Sequence, residues 1–164
     1  MYTKSKLRVV RKNLFSENTY VLDSDGMVGT LKLPFFGNYS LYTGNEFYNF
    51  HPIDLIGNSF RVYKEGKSIG YIHIHVLRNM AHIILLDEGP YQFSLKGFIN
   101  GNWVMRQGKV SIEKMGNDLH FHQVESTKKE LLVACALFTA AKINKDLILF
   151  LPIFLLACTF LILI

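Results

Sequence analysis

The sequence predicts a mostly β protein: a closed antiparallel barrel of about twelve strands around a central hydrophobic C-terminal helix, followed by an apolar tail helix. Three observations predict it. Up to about residue 124 the chain is a succession of short strand-like runs broken by Gly, Asn, Asp and Pro, with no helical run between them. From Leu131 to Ile164 it is almost wholly apolar, with Lys142, Lys145 and Asp146 as its only charges. Two stretches of the body also resemble each other in residue order.

Lys6 to Arg11 reads as the first strand and Asn13 to Asn18 as a turn, followed by Thr19 to Asp23 and a hairpin signal at Asp25-Gly26. In Val28 to Phe35, Leu31, Leu33 and Phe35 face one way and Lys32 and Pro34 the other, which is the alternation of a half-buried strand. Pro34 marks an edge or a strand end. Tyr39 to Thr43 and Glu46 to Phe50 come next, broken at Gly44-Asn45 and ended at Pro52. Ser59 to Lys64 and Ser68 to Val76 flank a turn at Glu65-Gly66, with Ile72, Ile74 and Val76 on one face. Ala81 to Leu86 turns at Asp87-Glu88-Gly89-Pro90, acids better read as turn chemistry than as a catalytic pair. Tyr91 to Leu95, Phe98 to Asn100, Asn102 to Arg106, Val110 to Lys114 and Asp118 to Val124 complete the set.

The tail divides at Lys142-Ile-Asn-Lys-Asp146. Leu131 to Ala141 is polar only at Thr139, and Ser126 to Glu130 before it supplies N-cap and first-turn residues. A helix apolar all round has no solvent face, and at about 16 Å this one is too short for a hydrocarbon layer of about 30 Å. It should be wrapped by the strands, giving a unit over residues 1–142 with its central helix at about 128–142. Leu147 to Ile164 carries no charge and would make roughly 27 Å of helix, the lower limit of a span. Leu147, Phe150, Phe154, Leu155, Phe160 and Leu163 are its expected lipid-facing anchors, and Pro152 sits near its start, where a missing N–H does least damage. The alternative arrangement makes 147–164 the buried helix, with 131–141 packed outside it or forming one long bent helix with it.

Lys128, Lys129, Lys142 and Lys145 precede the span and no Lys or Arg follows it, which by the positive-inside bias places the body in the cytoplasm as a single-pass C-terminal anchor. No secretory signal is expected after Met1, and the sequon at Asn38 is then read as chance. The net charge is a modest +5, but Lys4, Lys6, Arg8, Arg11 and Lys12 crowd the first twelve positions without an acid. With Lys142 and Lys145 they are the candidate lipid-headgroup contacts, an excess suited to an anionic membrane surface; a solvated edge strand accounts for it equally well. Cys135 and Cys158 lie in the apolar tail and read as small buried hydrophobes.

The repeat lays Tyr20 to Gly29 over Phe60 to Gly70 with one residue inserted, and Phe47 to Phe50 over Tyr91 to Ser94. Neither half buries its apolar face alone, so both should share one core. Over residues 5–142, the Gly26…Gly29 and Gly66…Gly70 hairpins, the aromatic strands after them and the terminal KKELLVACALFTAA helix resemble the Tubby-like superfamily, which includes LURP-one-related proteins and phospholipid scramblases. The resemblance implies a membrane-associated role in phosphoinositide binding or lipid movement. None of the family's calcium, palmitoylation or phosphoinositide motifs is matched, so no site residue is carried over.

His73 with His75, and His120 with His122, form two H-x-H pairs, each on one face of a strand. On neighbouring strands the four imidazoles would reach one zinc ion, or act as a cluster titrating near pH ~6.5. Alternation gives the inner faces to Ile72, Ile74, Val76, Leu119 and Phe121, so the histidines point outward and stay weak metal candidates. Nucleophile-elbow, P-loop and zinc-protease motifs are absent, no cofactor is implied, and the basic residues are not interleaved with exposed aromatics as nucleic-acid binding requires. Trp103 alternates with Met105 and reads as core or rim. The expected function is a membrane-anchored, non-enzymatic module that binds anionic lipid headgroups or a protein partner at the cytoplasmic face. A phospholipid scramblase or lipid transporter is the alternative, and a soluble metal protein or enzyme using the histidine pairs a further one.

Overall fold

A computed structural model describes the backbone of residues 2–11, 18–23, 26–34, 37–43, 46–86, 88–97 and 101–162. The expected Phe98–Asn100 strand and the turn residues 13–17, Asp25 and 44–45 lie outside them. Thirteen strands form one sheet: β1 (Tyr2–Lys6), β2 (Arg8–Arg11), β3 (Asn18–Asp23), β4 (Gly26–Lys32), β5 (Tyr39–Thr43), β6 (Glu46–Pro52), β7 (Ser59–Lys64), β8 (Lys67–His75), β9 (Met80–Leu85), β10 (Tyr91–Gly97), β11 (Asn102–Gln107), β12 (Val110–Met115) and β13 (Asp118–His122). From β2 to β13 each strand pairs antiparallel with its successor, the order that short turns between strands produce.

The sheet is not the closed barrel expected. Its outer strands are β1, paired only to β13, and β2, paired only to β3, and no ladder joins them among the described residues. The reason is covalent. Only Leu7 separates β1 from β2, and the alternation of the antiparallel ladders gives both the same direction, so they are successive halves of one run of chain and cannot lie side by side. Leu7 is buried, and its N–H donates to the carbonyl of Asn117 at 2.6 Å, tying the break to the β12–β13 turn.

The sheet's inner face surrounds the first half of helix α1 (Lys129–Ile162), as far as about Leu147. Leu132, Ala134, Cys135, Ala136, Phe138 and Ile143 are all buried although they point in every direction around the helix axis, as an all-apolar helix with no solvent face demands. The Phe138 ring stacks on Phe50 of β6 at 4.0 Å between centroids, meets Phe60 of β7 edge-on at 5.0 Å and Tyr39 of β5 at 5.6 Å. Trp103 and Met105 join the same core. Burial pushes the Cys135 thiol up to about 12, as its reading as a small hydrophobe requires.

The division of the tail into two helices is also corrected, in favour of one long helix: α1 runs for 34 residues through the polar step, and among the described residues no separate tail helix follows it. Lys142 bonds Asp146 one turn on, and the Lys145 ammonium donates to the carbonyls of Leu33 at 3.1 Å and Pro34 at 2.6 Å, just past the end of β4. The charges are thus satisfied without unwinding the helix. Among the described residues no helix is long and apolar enough to cross a membrane. The side chains of Phe154, Leu155, Phe160 and Leu163 lie outside the described ones.

The internal repeat has a structural counterpart. In β3–β4 the register slips between Val21 and Leu22, with Val21 opposite Gly29; in β7–β8 it slips between Val62 and Tyr63, with Val62 opposite Gly70. At both glycines a strand crosses too closely for a side chain. A Cβ on Gly29 would lie 2.3 Å from the Tyr42 carbonyl oxygen, and one on Gly70 would lie 2.6 Å from that of Ile84. Gly70→Ala should therefore cost about 1–3 kcal/mol, the scale of overpacking against backbone. Denaturant titration checks this, and an unchanged midpoint would show that β9 moves aside freely.

Candidate functional site

Where α1 leaves the sheet, apolar side chains face outward. The β6–β7 loop is held rigid from within. Asp54 Oδ1 accepts from the Asn58 N–H at 2.9 Å, the Ile53 N–H donates to Ser59 O at 2.9 Å, and the Ile74 N–H donates to Asn58 O at 2.8 Å. Burial pushes the Asp54 carboxyl up, but bonds from the Ser59 side chain and from backbone at Asn58, Gly57 and Ser59 outweigh it and hold the group below its ordinary range. This fixed turn leaves Leu55 fully exposed and Ile56 81% exposed.

A second turn faces the first. After β8 a 3₁₀ turn covers Val76–Arg78, closed by Asn79 at φ 54°, whose N–H donates to Val76 O at 3.0 Å. Val76 is buried, so the turn is pinned and Leu77 stands 88% exposed. Leu149 and Phe150 of α1 are also exposed. Ile56, Leu77, Leu149 and Phe150 line one cleft of about 610 Å³ together with Asn58, His73, His75, Arg78 and Asp146. Scattered exposed apolar residues need no explanation, but four around one opening form a patch of the kind that marks an interaction surface.

The cleft's charge is uneven. Asp146 is paired to Lys142, and burial pushes its carboxyl up against the pull of that ammonium. Arg78 has no ion-pair partner among the described residues. The His73 and His75 rings lie 4.5 Å apart, and His82 of β9, opposite His73 in register, lies 5.7 Å from His75. His73 Nδ1 is 2.9 Å from Ser59 Oγ. Burial lowers the His75 pKa, and the neighbouring His73, His82 and Arg78 lower it further.

The two H-x-H pairs do not meet. β8 pairs with β7 and β9, whereas β13 pairs with β12 and β1, so His73 and His75 are separated from His120 and His122 by the width of several strands. The strand faces are as alternation predicted, with Ile72, Ile74, Leu119 and Phe121 buried inward. Among the described residues no cluster of three or more His, Cys, Asp or Glu has metal-holding geometry. The expected headgroup lysines Lys142 and Lys145 are only 5% and 7% exposed, and their ammonium groups turn inward, over the rings of Phe60 and Tyr39 as well as to their bonded partners. They close the mouth of the core and present no charge to a surface. Lys6 and Arg8 are exposed on β1 and β2; the side chains of Lys4 and Arg11, and all of Lys12, lie outside what is described.

Sequence reasoning missed Arg78, His82 and the outward Leu55, Ile56 and Leu77. One signal was present: the apolar pair Leu55-Ile56 stands inside a turn-rich stretch, Asp54 to Asn58, where no core periodicity calls for it. At the opposite end of the core the start of α1 is anchored differently. Lys128 pairs with Glu88 at 2.5 Å, Tyr91 bonds Glu88, Thr43 bonds Glu130, and the Lys129 ammonium lies 5.1 Å over the Phe121 ring. No protein-family model, curated protein or solved structure matches the chain.

Proposed function

We propose that the protein is a non-enzymatic membrane module that sits on a lipid surface by the end of its core where α1 emerges, with the body on the cytoplasmic side, in the manner implied by a Tubby-like architecture of a sheet curled around a hydrophobic helix. The observation that carries this reading is the ring of exposed Leu55, Ile56, Leu77, Leu149 and Phe150 around that exit, on turns held rigid by hydrogen bonds. Beyond it the sequence from Leu151 to Ile164 has no charged residue. Each such side chain gains about 1.5–3 kcal/mol on leaving water, so several together contribute to seating as strongly as a partial span would. In this arrangement residues 147–164 are the lipid anchor and the rest is the cytoplasmic body.

The test uses the full chain reconstituted in phosphatidylcholine vesicles. A fluorophore at Leu77→Cys or Ile56→Cys, on a background lacking Cys135 and Cys158, should be quenched by lipids carrying a nitroxide. The same label at Lys109→Cys, in the turn near the start of α1, should not be. Release of the chain from membranes by a carbonate wash, or equal quenching at the two ends, would remove the proposal.

A further inference from the structure

The break at Leu7 leaves a bare strand edge beside an apolar slot, placed so that one extended chain would use both. We infer that this seam is a docking site for an extended segment of a partner protein, alternating apolar and acidic residues, which adds to β1 as a further antiparallel strand. The inference does not rest on the membrane seating. The slot is lined by residues of α1 only as far as Leu137, about 18 Å along the helix from Leu149 at its exit.

The backbone defines the edge. The Leu7 N–H donates to Asn117 O, and alternation along an antiparallel strand then turns the N–H and C=O groups of Thr3 and Ser5 towards β13 and those of Tyr2, Lys4 and Lys6 away from it. β3 covers that far side only from Arg8 onward, opposite Leu22, and among the described residues no strand covers it along β1. A row of unpaired backbone groups is a template for another strand. Next to it the wall of the sheet is missing. A slot of about 410 Å³ lies between Ser5 and Leu7 on one side and Val21 and Thr43 on the other, and reaches Val133 and Leu137 of α1. That volume lies within the ~300–1,000 Å³ range of ligand pockets. Ser5 stands opposite the buried Leu119 and so on the inward row, where its short side chain leaves the slot open.

Charge selects the occupant. The charged residues of β1 and β2 are all cations, Lys4, Lys6, Arg8 and Arg11, and Lys129 lies at the slot. The acids on the elements around them are Asp23 at the end of β3, Asp118, opposite Lys6 in register, and Glu130, which accepts from the Thr43 hydroxyl. A second copy of β1 would set these lysines against one another, since like charges directly opposite are destabilising. A strand with acids opposite Lys4 and Lys6 gains instead from cross-strand pairs. Because those two lysines turn their backbone groups to the bare edge, the acidic residues of the added strand are the ones whose N–H groups bond β1. The apolar residues between them then face inward, into the slot, which is the division of labour in strand addition: main chain for affinity, pockets for specificity.

The experiment mixes the full chain, in phosphatidylcholine nanodiscs or free in buffer should it stay out of them, with a short fluorescent peptide alternating glutamate and valine, and reads binding by anisotropy. This peptide should bind about tenfold more tightly than one with lysine in place of glutamate, the effect of two cross-strand charge pairs changing sign. Methylating the glutamate amides should weaken binding by about tenfold or more, while methylating the valine amides, which point away from β1, should change it by about twofold at most. Lys6→Glu, at an exposed position, should narrow the gap between the two peptides to about threefold or less, and Lys96→Glu, exposed on β10, should leave it unchanged. Equal binding of the two methylated peptides, or a gap indifferent to Lys6→Glu, would overturn strand addition at β1. Displacement of the peptide by decanoate with no effect of either methylation would give the slot to an alkyl chain instead. Dimerisation of the chain that excludes the peptide would give the edge to a second copy, and either result overturns the partner segment. Binding is read whether or not the chain enters the discs, so failure here leaves the membrane seating untouched.

Discussion

Ala136→Asp should abolish the cooperative melt of the body. Ala136 is completely buried in α1, on a stretch whose neighbours Cys135, Leu137 and Phe138 are equally enclosed, so no rotation of the helix carries a carboxylate to water. A charge buried without a partner costs several kcal/mol even after it neutralises by taking up a proton, against a total stability of about 5–15 kcal/mol. Loss of near-ultraviolet circular dichroism from the buried Trp103 should accompany the loss of the transition. Leu77→Asp is the matched control: the same chemistry at a position 88% exposed should shift stability by about 0.5 kcal/mol or less. A cooperative melt of Ala136→Asp like that of the unaltered chain would mean that α1 does not form the centre of the core.

Phe138→Ala should be the most costly truncation in the core that still permits folding. The ring contacts three aromatic side chains from three consecutive strands, Tyr39, Phe50 and Phe60, and is the main link between the helix and that side of the sheet. Removal should cost about 3–5 kcal/mol, combining lost transfer energy with a cavity that flanking rings cannot fill. For a chain of this size that corresponds to a fall in Tm of roughly 6–20 °C. Phe138→Leu retains much of the volume and should lose clearly less. A calorimetric loss under about 1 kcal/mol for the alanine variant would show that the sheet relaxes onto the helix, contrary to the close packing of protein interiors.

Much of the fold was legible because it depends on local pattern. Leu31, Leu33, Ile72, Ile74, Leu119 and Phe121 alternate with polar residues, and all six are buried. The twin hairpins at Gly29 and Gly70 were legible as a repeat, although the reason for the glycines, a strand crossing too close for a Cβ, is a property of pairing alone. The closure of the sheet was misread because composition says how many strands there are and not that β1 and β2 are one run of chain broken at Leu7. The site was read least well. Lys142 and Lys145 look like surface cations in a list of residues, and only the arrival of the Leu33 and Pro34 carbonyls from more than a hundred positions away turns Lys145 inward.

The sequence by itself determined the strand periodicity, the wholly apolar character of 131–141 and so the need to enclose it, because these follow from side-chain spacing and the cost of exposing apolar surface. The tertiary structure alone decided which charges face water, which histidines become neighbours and where the uncovered apolar side chains gather. Those depend on register and on which loops meet at the mouth of the core, and contacts between residues distant in the chain leave no periodic trace in it.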